Sequence, residues 1–116
     1  MAKHEGGCHC GQVRYEFDAD IQGVIACNCS MCGKAGTLLA FMPESAFQLK
    51  SGEGVLRDYQ FNRHIIHHLF CGNCGIKSFA RGVAPDGSPT IAVNARCIDG
   101  FAEGQYPVHQ YDGAHH

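Results

Sequence analysis

Residues 65–80 read Ile65-Ile66-His67-His68-Leu69-Phe70-Cys71-Gly72-Asn73-Cys74-Gly75-Ile76-Lys77-Ser78-Phe79-Ala80. The Cys-x-x-Cys in the middle has two mechanistic meanings. A thioredoxin-like redox pair opens a helix after a strand. Here apolar, strand-like residues stand on both sides, which predicts a hairpin tip. A hairpin tip brings two sulfurs to one edge of a metal tetrahedron. Two further cysteine groups share this character: Cys8-x-Cys10 and Cys27-x-Cys29-x-x-Cys32. Each group closes on glycine, as Cys10-Gly11, Cys32-Gly33 and Cys74-Gly75. Glycine there admits the positive φ that aims backbone N–H groups back at the sulfurs.

A disulfide framework is the alternative for eight cysteines, with Cys97 as the eighth. It needs an oxidising compartment, and residues 1–7 show no apolar signal core. A bridge within Cys-x-Cys would also span roughly 6.5 Å on an extended strand and be strained. Metal binding is therefore the expected role. Seven clustered cysteines do not divide by four. Cys8, Cys10, Cys71 and Cys74 are expected to form a closed structural site linking the first hairpin to the middle of the chain. Cys27, Cys29 and Cys32, supplied by one short loop, are the natural three-ligand set with an open, catalytic position. The alternative for the triplet is a second structural site completed by Cys97 or a histidine.

The rest of the chain reads as one all-β domain, residues 1–116, of about eight short strands. Gln12–Phe17 alternates polar and apolar at every position. Val24–Ala26 and Thr37–Met42 flank the triplet. Val55–Phe61, His64–Phe70, Ile76–Ala80, Thr90–Ala95 and Val108–Tyr111 are the other strand candidates. Pro43–Phe47 predicts a single helical turn. Ser51–Gly54 and Ala84–Pro89 carry turn chemistry. No segment keeps a helical period, and no apolar run reaches the ~20 residues of a membrane span. The net charge is −2. Seven thiolates and two Zn²⁺ would take it to about −5, which argues against nucleic acid as a partner. The expected location is the cytoplasm.

In order, Gly7-Cys8-His9-Cys10-Gly11-x-Val13, Cys27-Asn28-Cys29-Ser30-x-Cys32, Phe70-Cys71-x-x-Cys74-Gly75-Ile76, Val93-Asn94-Ala95-Arg96-Cys97 and Asp112-Gly113 resemble the glutathione-dependent formaldehyde-activating enzyme family. The resemblance covers nearly the whole chain. It implies the Mss4-like, or β-tent, fold and two zincs per chain: one structural on Cys8, Cys10, Cys71 and Cys74, and one on Cys27, Cys29 and Cys32. It also implies a carbon–sulfur lyase that adds glutathione to formaldehyde.

On that reading the open zinc position activates a substrate thiol, which attacks a small aldehyde. Ser30 and His68 are candidates for the hydrogen-bond donor or acid. Lys34 is the first candidate cation for the glutathione carboxylates, followed by Arg63, Lys77 and Arg96. His9 and Asn28, between ligands, are expected to shape their loops. Two other functions compete. One is a non-catalytic zinc-stabilised binding module. The other is a methionine sulfoxide reductase-like enzyme, for which Arg96-Cys97-Ile98 would supply the thiol. Cys97 is better read as a buried, inert cysteine.

Overall fold

The computed structural model describes residues 3–60 and 66–112. It holds ten strands and one short helix, so the all-β expectation holds. The strands are β1 Lys3–Gly7, β2 Arg14–Asp18, β3 Val24–Cys27, β4 Leu39–Pro43, β5 Phe47–Ser51, β6 Leu56–Tyr59, β7 His67–Cys71, β8 Phe79–Val83, β9 Pro89–Asn94 and β10 Val108–Tyr111. The helix α1 spans Ser30–Ala35. Ends of two expected strands (61 and 64–65), Arg63 and Gly113 lie outside the described residues.

Two sheets form. The smaller has the order β1-β2-β5 and the larger β10-β3-β4-β9-β8-β7-β6. Period-two alternation explains their packing. In β2, Tyr15 and Phe17 point inward, 1% and 2% exposed. In β8 and β9, Phe79, Ile91 and Val93 do the same from the facing sheet. The rings interlock across the gap, with Phe47 and Phe79 centroids 4.8 Å apart and Tyr15 and Phe79 at 6.2 Å. Burying each such side chain contributes about 1.5–3 kcal/mol. This apolar slab is the main core.

The outer face of the large sheet is built differently. Ladder registers place Phe41, Ala92, Ala80, His68 and Tyr59 in one row across β4, β9, β8, β7 and β6. The two alanines make a low floor between exposed aromatic ends, Phe41 and Tyr59.

Several sequence expectations shift. The triplet loop contains α1, because the Cys29 side chain caps its start and Gly36, at φ 69°, ends it. The strand expected at 76–80 begins instead at Phe79. Residues 95–97 form a 3₁₀ turn rather than a strand end. Two strands were not anticipated, β1 and β5. The helical turn expected at 43–47 is the 3₁₀ turn Glu44–Ala46.

β1 is possible only because Gly7 lacks a side chain. A Cβ there would sit 1.9 Å from the Val13 carbonyl oxygen. Gly7→Ala is expected to destabilise the fold by about 2–4 kcal/mol. Gly54→Ala, with open space around it and no positive φ, should be close to neutral. Urea unfolding of both variants checks this, and equal midpoints would refute the close-approach argument.

Candidate metal centres

The first centre rests on two matching turns. Residues 8–13 join β1 to β2, with the Cys8 N–H donating to the Val13 carbonyl at 3.1 Å. Residues 71–76 leave β7, with the Cys71 N–H donating to the Ile76 carbonyl at 3.0 Å. Gly11 and Gly75 take positive φ, 84° and 80°. Gly33 does not: it lies within α1, so the glycine rule holds at two of the three clusters. The turns aim N–H groups at sulfur as expected. Val13 donates to Cys8 Sγ at 3.3 Å, and Asn73 and Cys74 donate to Cys71 Sγ at 3.3 and 3.4 Å. The Ile76 N–H is the main influence holding the Cys74 thiol down at about 6.

All four sulfurs lie within 4.8 Å of one another. Cys8 and Cys10 Sγ are 3.5 Å apart, and Cys10 and Cys71 Sγ 3.7 Å. A tetrahedron with metal–sulfur arms of about 2.3 Å has edges of about 3.8 Å, so the donor set fits a tetrahedral thiolate-bound metal. It joins the small sheet to the large one across 61 residues of chain.

The second centre sits on the outer face of the large sheet. Cys27 ends β3, Cys29 caps α1 and Cys32 lies within α1. Their sulfurs also lie within 4.8 Å of one another. Cys29 Sγ accepts from the Cys32 N–H at 3.3 Å. Cys32 packs with Leu39, Ala80 and Ala92, and with Ile25 at the edge of the cluster. Burial pushes its thiol up to about 12, against the pull of the Lys77 ammonium. β10 secures the loop: Asn28 N–H donates to the Tyr111 carbonyl, and Asn28 Nδ2 to Asp112 Oδ1 at 3.0 Å.

The buried polar side chains of the described residues are Thr37, His68, Lys77, Ser78 and Asn94. Three of them, His68, Lys77 and Asn94, form one hydrogen-bonded group beside the triplet. Lys77 is only 8% exposed, and its ammonium acts electrostatically on Cys32, Cys29 and Cys27. Its Nζ donates to His68 Nδ1 at 2.7 Å, which leaves the imidazole proton on Nε2. Asn94 Nδ2 donates to the Lys77 carbonyl at 3.0 Å, and Asn94 Oδ1 accepts from Leu38 and Arg96 N–H groups. Thr37 Oγ1 is buried with no partner among the described residues.

The other candidates are spread over α1 and the segment after β9. Ser30 and Lys34 are exposed at opposite ends of α1. Arg96 pairs with Glu103 and lies over the Phe101 ring. Cys97 is half-buried, its Sγ directed at the Lys77 carbonyl at 3.8 Å, and burial pushes its thiol up to about 11. That setting disfavours a reactive thiolate. Among the described residues, Lys77, one of the later sequence candidates, is the cation that acts on all three triplet cysteines. Asn94 and Asp112 were not anticipated as contributors; both stood inside matched motifs without an assigned role.

His68 makes stability pH-dependent. Burial first, then the Lys77 charge, lowers its pKa from 6.5 to about 4. The unfolded chain therefore binds the proton more readily. The contribution is fully present above pH 6.5 and is lost as pH falls toward 4. Its full size is of order 1–3 kcal/mol. His68→Gln is expected to flatten the difference in urea midpoint between pH 7 and 4.5; a wild-type-like slope would refute the assignment.

No helix among the described residues is long and apolar enough to cross a membrane. A family model described as glutathione-dependent formaldehyde-activating enzyme matches residues 3–112. A Rhodobacter sphaeroides protein, whose crystal structure was solved as a structural-genomics target, superposes with a TM-score of 0.78. It is 27% identical, and the match covers 90% of this chain and 99% of that one.

Proposed function

The chain belongs to the glutathione-dependent formaldehyde-activating enzyme family, and on that premise we propose a carbon–sulfur lyase activity. It would join a glutathione-type thiol to formaldehyde or a related small carbonyl. The observation that carries the reading is a three-sulfur set, Cys27, Cys29 and Cys32, faced by a buried lysine. We assign zinc to both cysteine sets, structural on Cys8, Cys10, Cys71 and Cys74 and catalytic on the triplet. Residues 1–116 are taken as a single domain. A reducing, cytoplasmic setting suits eight free thiols.

Zinc held by the triplet would supply Lewis acidity and lower the pKa of a substrate thiol. The chain's own residues do the rest. The Lys77 ammonium offsets the negative charge of the sulfurs and would give a proton, from Nζ, to the alkoxide formed on addition. His68 Nδ1 holds that ammonium in direction, and His68 stays neutral at physiological pH. Asn94 fixes the lysine backbone from β9. Ser30 and Lys34 stand four residues apart on α1 and so share a face. There Ser30 can donate a hydrogen bond and Lys34 can meet a glutathione carboxylate.

The test is NMR exchange between ¹³C-formaldehyde and its glutathione adduct. The zinc-loaded protein should accelerate exchange in proportion to its concentration. An unchanged exchange rate at equimolar protein would refute the activity.

A further inference from the structure

β3 and β4 are neighbours in the large sheet, yet they share a single register pair, Ile25 with Leu39. β4 and β9, by comparison, share five. Beyond Leu39 the two strands diverge, and a cleft of about 310 Å³ opens between β4 and residues 19–23. Ile21, Ile25, Leu39, Phe41 and Met42 line it, and Asp20 is the only charged residue in the lining. Ile25 and Leu39 also pack against the cysteine triplet. The cleft and the second metal centre therefore share a wall, formed by Ile25 and Leu39.

Resting on the proposed function, we infer that this cleft receives an apolar substituent on the carbonyl substrate. The favoured aldehyde is then larger than formaldehyde. Volume and chemistry argue together. A space of this size lies at the lower end of ligand pockets, and formaldehyde, with its single carbon, would leave it almost empty. The glycyl arm of glutathione does not suit it, because its carboxylate would face Asp20 with no cation in the lining. A short alkyl chain would replace water against isoleucine, leucine, phenylalanine and methionine. With the aldehyde carbon at the triplet, such a chain would reach the cleft past Ile25 and Leu39 and lie along Phe41.

The full-length, zinc-loaded protein tests this in two ways. Butanamide, an unreactive isostere of a short aldehyde, should shift the methyl NMR signals of Ile21, Ile25, Leu39 and Met42. In kinetics with glutathione, kcat/KM for butanal should exceed that for formaldehyde about tenfold. Phe41→Asp places a charge at the cleft mouth on a side chain already 57% exposed, so folding should be kept. It should abolish the butanamide shifts and lower the butanal-to-formaldehyde ratio at least tenfold, with formaldehyde exchange unchanged. Absent cleft shifts, or a ratio insensitive to Phe41→Asp, would overturn the inference. So would γ-Glu-Ala-Gly shifting the same methyls, because the cleft would then hold the arm of the thiol. Butanamide binding with neither aldehyde turned over would support an apolar-ligand cleft and remove the family reaction as its use.

Discussion

Cys71→Ser is expected to remove one bound metal and the native fold together. Cys71 is 1% exposed, at the point where β7 meets the turn that bears Cys74. Its sulfur accepts two backbone N–H groups and lies 3.7 Å from Cys10 Sγ, on the other sheet. Serine is a poorer, shorter ligand, and the remaining three sulfurs would lose tetrahedral closure. In zinc-finger peptides, structural zinc contributes an apparent ~10–16 kcal/mol. The whole stability of a domain is about 5–15 kcal/mol. Losing even half of the metal contribution leaves little, because what then holds the sheets together is the apolar core and peripheral links such as the Gly6–Ile98 bridge and the Arg14–Asp99 ion pair. Native mass spectrometry should show one metal equivalent fewer, and thermal melts followed by circular dichroism should show no cooperative transition above 37 °C. Cys97→Ser is the control, since Cys97 belongs to neither set. It should keep both metals and shift stability by less than about 1 kcal/mol. A folded Cys71→Ser protein with two metals would mean that this site is not what joins the sheets.

The grouping of the cysteines into two sets could be read from the sequence because it depends on local spacing. Cys8, Cys10, Cys71 and Cys74 come together as expected, and so do Cys27, Cys29 and Cys32. Val108–Tyr111 is a strand with the expected bounds. The parts that were hidden depend on pairing between distant segments. β1, with the sequence Lys-His-Glu-Gly-Gly, has no apolar pattern; it is a strand because β2 pairs with it and its glycines allow close approach. α1 is only six residues long, too short to show a helical period, and its limits are set by a cysteine cap and a left-handed glycine. Ile76–Ser78 looks like the start of a strand, yet Lys77 and Ser78 are buried because Asn94 of β9 holds that segment beside the triplet. No local pattern distinguishes a lysine held in this way from a solvated one. For that reason Lys34, nearer in sequence, ranked above Lys77.

Cys29→Ser is expected to have the opposite outcome to Cys71→Ser: the fold survives and the activity goes. Cys29 has two roles that serine separates. As the N-cap of α1, its side chain accepts from the Cys32 N–H. Serine is a good cap, so the ~1 kcal/mol that capping contributes should be kept. As a ligand, its sulfur is one of only three, and two remaining sulfurs should not retain the metal. Cys29 packs on the small outer cluster with Leu39, Ala80 and Ala92, whereas the main core lies on the other face of the sheet. One metal equivalent should therefore remain, with the melting temperature within about 5 °C of wild type. Exchange between formaldehyde and its glutathione adduct should fall at least ~10³-fold, to the uncatalysed rate, which corresponds to about 4 kcal/mol of lost transition-state stabilisation. Cys29→Ala should show the same loss of metal and exchange, with an added cost of about 1 kcal/mol from the missing cap. If Cys29→Ser unfolds, the triplet is a second structural clip. If it keeps one metal and full exchange, the chemistry does not take place at the triplet, and the assignment of Lys77 as its proton donor falls with it.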